Sequence, residues 1–234
     1  MSLRGLLFHR VILMSGSALS PWAHASAMAT SSSVAMASSA STAATISLTN
    51  GKDVAKRFAQ RVKCPSAPPS SMLECLRQIP LQFYVESELW STFGPSEDGV
   101  IIEEGFRESL LRDRLSRYPL LFGVTKAEML PYISDHDASY GLETEKRREV
   151  LKQFVEKFFS VHRNEILAAA IHEYTDWERP VQHPISVRDE TLDALGDAQV
   201  VAPLIKAADL HSQSNAKSYF YVFEYQSKVS DYAQ

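Results

Sequence analysis

The chain has 234 residues, with 24 Lys+Arg against 28 Asp+Glu and a formal net charge of −4. That balance argues against a dedicated nucleic-acid binder, which carries a basic excess. With 45% apolar residues, two cysteines and no run of 18 apolar residues, the composition allows a core but encodes no disulfide scaffold and no transmembrane helix.

The first 23 residues, MSLRGLLFHRVILMSGSALSPWA, superficially resemble a secretory leader. His9 and Arg10 interrupt the apolar stretch, and Trp22 stands where a cleavage site needs small residues. The favoured alternative is a short buried strand, Arg10 to Met14, ending in the turn Ser15-Gly16-Ser17. From Ala23 to Ser47, 20 of 25 residues are Ala, Ser or Thr. Such a tract offers too little side-chain area to offset its ordering entropy, which predicts a disordered insertion over 23–50. An Ala-rich helix is the alternative, disfavoured by the Ser and Thr density.

Gly51 to Lys63 places Val54, Phe58 and Val62 at i, i+4, i+8, which predicts a short amphipathic helix. Cys64 and Cys75 follow, 11 positions apart, with Pro65, Pro68 and Pro69 between them. The spacing is compatible with a bridge and equally with two unpaired thiols. Phe93 to Ile102 reads as a turn cluster feeding a short apolar strand. Leu120 to Val124 is a continuous apolar run, as expected of a strand covered on both faces of a mostly parallel sheet. Glu128 lies in the loop just beyond it, where functional groups collect in open α/β sheets; most such carboxylates are ordinary solvated loop residues.

Glu143 to Val161 is predicted helical, with a stripe of Leu151, Phe154, Val155, Phe158 and Phe159. Lys146, Arg147, Arg148 and Lys152 form its predicted wet side. Ile166 to Ile171 reads as a second helix and Asp197 to Gln213 as a third. In the third, Asp197 is a candidate N-cap and Val201, Leu204, Ile205 and Ala208 the buried side. Pro203 predicts a kink or a late start there. Ser218 to Tyr225 reads as a final aromatic-rich strand. Alternating helices and strands make the fold class α/β.

No Gly-x-Ser-x-Gly elbow, Gly-rich phosphate loop or His-Glu-x-x-His occurs. His162 and Glu165 stand at i, i+3, a spacing that ligates metal only with a second copy, and none exists. No metal or cofactor is expected.

Seven segments, in order, resemble the carboxylesterase type B (cholinesterase-like) family, and within it the neuroligins. They are GLLFHRVILMSGSALSPWA (5–23), the Cys64–Cys75 loop, FGPSEDGVII (93–102), LLFGVTKAE (120–128), EYTDWERPVQHP (173–184), DAQVVAPLIKAADLH (197–211) and SYFYVFEYQ (218–226). The resemblance implies a partial α/β-hydrolase fold, the C-terminal part of a mixed sheet with flanking helices. Residues 1–22 and 51–234 would belong to one incomplete domain. It also implies a disulfide between Cys64 and Cys75, and it places Glu128 at the position of the triad acid. The nucleophile elbow and the catalytic histidine would lie before Met1 and beyond Gln234, so no esterase activity is expected from these residues. The family usually has Gly after that acid; here Met129 follows.

By the same resemblance, the parent would be an adhesion ectodomain on the extracellular, synaptic side of the plasma membrane, binding a neurexin-type partner. A signal peptide upstream and an anchor downstream are expected of that parent. Part of the partner contact maps to Ser116, Arg117 and Tyr118, between Leu115 and Pro119. Arg112, Arg114 and Arg117 make this stretch a poor calcium surface. The family's dimer seam maps in part to Ile171, His172 and Glu173, polar enough to leave homodimerisation open. The runner-up is a fragment of an active esterase. With the first strands missing, Leu120–Val124 and Ser218–Tyr225 are expected to present unpaired edges and to drive aggregation.

Overall fold

The computed structural model describes residues 8–23, 51–86, 95, 99–100, 102, 115–159, 161–179, 181–214 and 216–225. The chain divides into two compact units. One comprises residues 1–21, 105–156 and 162–234; the other comprises 22–104 with 157–161. The predicted insertion lies, but for Ala23, outside the described residues, as does most of the segment 93–102.

The first unit is built on a three-stranded parallel sheet. Strand β1 is Val11–Met14, β2 is Leu120–Thr125 and β3 is Ser218–Phe223, in the spatial order β1-β2-β3. Val11 pairs with Leu120 and Leu120 with Ser218, so residues in register share a face. Leu120, Phe122 and Val124 point to one face and are buried. Each such side chain stabilises the fold by roughly 1.5–3 kcal/mol when fully removed from water.

Two expectations change here. β2 is the middle strand, hydrogen-bonded on both sides, so among the described residues only β3, of the two segments expected to, offers an unpaired edge. Nor is β2 covered evenly on both faces: Leu121 and Thr125, on the second face, are exposed. Gly123 is buried on that face because the Tyr221 ring lies against it. A Cβ at Gly123 would stand 2.5 Å from Tyr221 ring carbons and 2.4 Å from the Tyr221 carbonyl oxygen.

In chain order the helices are α1 Gly51–Arg61, α2 Pro69–Arg77, α3 Leu81–Val85, α4 Asp135–Tyr140, α5 Thr144–Phe158, α6 Arg163–Glu173, α7 Pro184–Gly196 and α8 Ala202–Ser212. Single 3₁₀ turns stand at Leu115–Arg117 and Leu130–Tyr132.

α7 and α8 are joined by a π-turn, Asp197–Val201, with no intervening loop. Asp197 is therefore not an N-cap; the helix starts earlier, at Pro184, where His183 Nδ1 accepts from the Ile185 N–H at 3.2 Å. Pro203 explains the wide turn. Its ring clashes with the carbonyl four residues back, and a π-turn displaces that carbonyl. The added residue also rotates the helix. The buried stripe becomes Val200, Leu204, Ala207 and His211, while Ile205 is 40% exposed and Val201 and Ala208 are half-buried.

The second unit has its own small core. Phe58, Ala59, Cys64 and Leu76 are buried, with Val62, Met72, Ile79 and Tyr84 against them. The Phe58 and Tyr84 rings are 4.5 Å apart, and the Tyr84 hydroxyl donates to the Leu76 carbonyl at 2.7 Å. Cys64 and Cys75 are disulfide-bonded, their Cα atoms 5.8 Å apart. The bond ties the end of α1 to α2.

Candidate functional site

The carboxyl ends of β1 and β2 hold the one sequence-predicted catalytic position. The chain leaves β1 through Ser15, whose φ of 57° turns it sharply while its N–H donates to the Gly123 carbonyl at 2.9 Å. That turn aims Ser15 Oγ at Glu128, and it donates to Oε1 at 2.8 Å. The same oxygen accepts the Thr125 backbone N–H at 2.5 Å, closing the loop that follows β2. Glu128 is half-buried, and Met129 beside it is 1% exposed. Met129 has φ −103°, a conformation that needs no glycine. Gln199 of the π-turn directs its amide toward Met129 Sδ at 4.0 Å.

Glu128, the position expected for a triad acid, is held by a serine hydroxyl and a backbone amide. Catalysis through it needs an imidazole to orient and a nucleophile to activate. Among the described residues, no histidine bonds to Glu128. Nor does any group of three or more His, Cys, Asp or Glu among them form a metal-binding cluster. His162 and Glu165 are both exposed.

The histidine that matters structurally is His211, which the sequence reading passed over. It is fully buried on α8. Its Nε2 faces the carbonyl oxygens of Leu115 at 3.2 Å and Tyr118 at 3.0 Å, and its Nδ1 faces Ser218 Oγ at 2.6 Å. Carbonyls only accept, so Nε2 carries the proton; in the neutral ring Nδ1 then accepts from Ser218. The signal was its place seven residues after Leu204, on the buried stripe.

His211 thereby fixes the segment expected to meet a partner. Ser116 is half-buried in the 3₁₀ turn, and the Tyr118 ring packs 4.8 Å from Phe8. Arg117 is the exposed member of the three. The Leu115 and Tyr118 carbonyls already accept from His211, which weakens any claim of this stretch on a cation.

Arg147 corrects another expectation. Placed on the wet side of α5 by its spacing, it is 3% exposed. It pairs with Glu190 at 2.9 Å and donates to the carbonyls of Ile171 and Tyr174 at 3.1 and 3.0 Å. The turn after α6 is tied further. Asp176 N–H donates to Glu190 Oε1 at 3.1 Å, and Trp177 Nε1–H to the His172 carbonyl at 3.0 Å. Burial, then the hydrogen bond to Asp197 at 2.7 Å, raises the Tyr174 phenol well above its ordinary value. At the seam position, Ile171 is half-buried while His172 and Glu173 are exposed.

A small parallel sheet with flanking helices fits part of an α/β-hydrolase fold. The Carboxylesterase family model matches residues 2–234, and the chain belongs to that family. It is 32% identical over 234 residues to Neuroligin-1 of Caenorhabditis elegans, covering 95% of this chain and 28% of that protein. It is 25% identical over 227 residues to human Neuroligin-3, covering 93% of this chain and 24% of the relative. With human Neuroligin-2 it shares 27% over 175 residues, 71% of this chain and 21% of the relative. The chain thus spans about a quarter of the length of the curated relatives it matches.

Proposed function

We propose that the chain is part of a neuroligin-like adhesion ectodomain, non-catalytic, acting on the extracellular side of the plasma membrane at a synapse and binding a neurexin-type cell-surface protein. Similarity to neuroligins along nearly the whole chain carries this reading. The Cys64–Cys75 disulfide supports it, since such bonds persist in oxidising compartments. Arg117, exposed and beside half-buried Ser116 and Tyr118, is the side chain assigned to partner contact. Attachment to a membrane is expected of the parent protein; no described helix is long and apolar enough to cross a bilayer.

The test is binding of the chain to an immobilised neurexin-type ectodomain, with calcium and with chelator, alongside Arg117→Glu. Saturable binding that weakens at least tenfold in R117E supports the reading; no binding in either condition overturns it.

A second reading, part of an active serine esterase, is favoured by one observation: Glu128 holds the triad-acid position at the carboxyl end of the sheet. It requires that the parent ectodomain hydrolyse an acyl ester such as acetylthiocholine and lose that activity in Glu128→Gln. Turnover at the buffer rate excludes it.

A further inference from the structure

We infer that a hollow formed by the end of α1 and by α3 is a binding site for a small zwitterion with an aromatic body, a free aromatic α-amino acid. The hollow measures about 360 Å³ and lies within the second unit. Small-molecule pockets run from about 300 to 1,000 Å³, so this one suits a single amino acid and not a peptide. Phe58, Val62, Ile79 and Phe83 give it apolar walls. Phe58 is buried and held against the Tyr84 ring, whereas Phe83 is exposed and offers its ring to a ligand.

Two observations select the ligand. Lys63 and Glu86 line the same hollow with opposite charges, yet among the described residues neither side chain has a hydrogen bond or an ion pair. An ammonium and a carboxylate too far apart to pair with each other complement a carboxylate and an ammonium on one small molecule. A ligand with a single charge would meet one of the two as an opponent. Arg61 also lines the hollow but already holds a contact within the chain, so the ligand carboxylate is assigned to Lys63. The second observation is the backbone of Lys63, whose φ is 61°. Its N–H donates to the Gln60 carbonyl at 3.2 Å and the Cys64 N–H to the Ala59 carbonyl at 2.7 Å, the paired bonds of a Schellman turn that ends α1. Glycine is favoured at that left-handed position because a Cβ is strained there. A lysine standing in its place gives up stability and sets a cation on the rim of the hollow, as strained residues at ligand sites do. The Cys64–Cys75 disulfide at the next residue anchors the turn to α2.

Equilibrium dialysis of the whole chain against labelled L-tryptophan tests this, with tryptamine, which lacks the carboxylate, and indole-3-propionate, which lacks the ammonium. The expected result is saturable one-to-one binding of L-tryptophan, at least fivefold tighter than of either analogue. Lys63→Gly separates binding from folding. It puts the favoured residue in the left-handed position, so its thermal midpoint should equal or exceed the parent's while its L-tryptophan affinity falls at least fivefold and its tryptamine affinity stays unchanged. Glu86→Gln should lose L-tryptophan by a similar factor and keep indole-3-propionate. Lys56→Gln, on an exposed position of α1 outside the hollow, should bind like the parent. No saturable binding of L-tryptophan, either analogue binding as tightly as the amino acid, or K63G binding as well as the parent overturns the inference.

Discussion

Arg147 and Glu190 join helices 43 residues apart in sequence through a charge-assisted bond of 2.9 Å, with the guanidinium 3% exposed. The arginine also collects the carbonyls of Ile171 and Tyr174, at the end of α6. Three elements of the first unit therefore depend on one side chain. A buried pair adds little over a well-packed apolar substitute, but removing one partner leaves the other charge and its polar neighbours unsatisfied.

Arg147→Ala should therefore destabilise the chain by about 3–5 kcal/mol. Urea denaturation measures this. Arg148→Ala, one residue away and exposed, should stay within about 0.5 kcal/mol of the parent. Equal effects of the two would show that Arg147 is not the organising residue.

Two glycines should respond oppositely to alanine. Gly123 has the Tyr221 carbonyl 2.4 Å from where a Cβ would sit, so Gly123→Ala must push β3 away or displace the Tyr221 ring. A loss of about 1–3 kcal/mol is expected. At Gly196, φ is −62° and the added methyl would meet Glu128 Cβ at 3.6 Å and Met129 Cγ at 3.8 Å, ordinary contacts. Gly196→Ala should gain about 0.4–1 kcal/mol by restricting the unfolded chain. Thermal midpoints moving the same way in both variants would contradict this packing.

What the sequence made legible followed from local pattern. The apolar run Leu120–Val124, the aromatic run from Ser218 and the i, i+4 stripe of α1 each mark an element through local pattern, but not its burial: β3 has no buried residue and Leu121 is exposed. Glu128 was reachable because its place is fixed by the end of a strand. Arg147 was not: a basic residue between two others reads as solvent-facing, and its partner Glu190 is supplied only by tertiary packing. His211 was lost for a related reason. The π-turn before Pro203 shifts the buried stripe by one residue, so a plain 3.6-residue period extended from Val201 selects the wrong face.

Asp137 supplies an acid-sensitive element. Burial alone would raise its pKa. Hydrogen bonds from Lys146 Nζ at 2.6 Å and from the N-cap Ser134 Oγ at 2.6 Å, with the Lys146 charge, outweigh burial and hold it below its usual 3.8. A carboxyl depressed by folding contributes stability above its unfolded value. That contribution is lost as pH falls through its folded value. The urea midpoint of the parent should thus fall between pH 4 and pH 2 more steeply than that of Asp137→Asn. At pH 7 the variant should be the less stable of the two. Parallel pH curves would mean that Asp137 titrates alike in both states.

The disulfide should matter most in the second unit, whose core is small. Cys64 and Cys75 enclose a loop of 11-residue separation, and closing a loop of this size restricts the unfolded chain by roughly 3 kcal/mol in the chain-entropy model. Cys64 is itself a buried member of that core, so Cys64→Ser also places a hydroxyl among Phe58, Ala59 and Leu76. Cys75→Ala breaks the bond at the less buried end and isolates the cross-link. Reduction of the parent and Cys75→Ala should expose the Phe58–Tyr84 cluster to similar degrees, read by proteolysis within residues 51–86. Cys64→Ser should be the more susceptible. Parent chain equally resistant with and without reductant would show that the core holds without its cross-link.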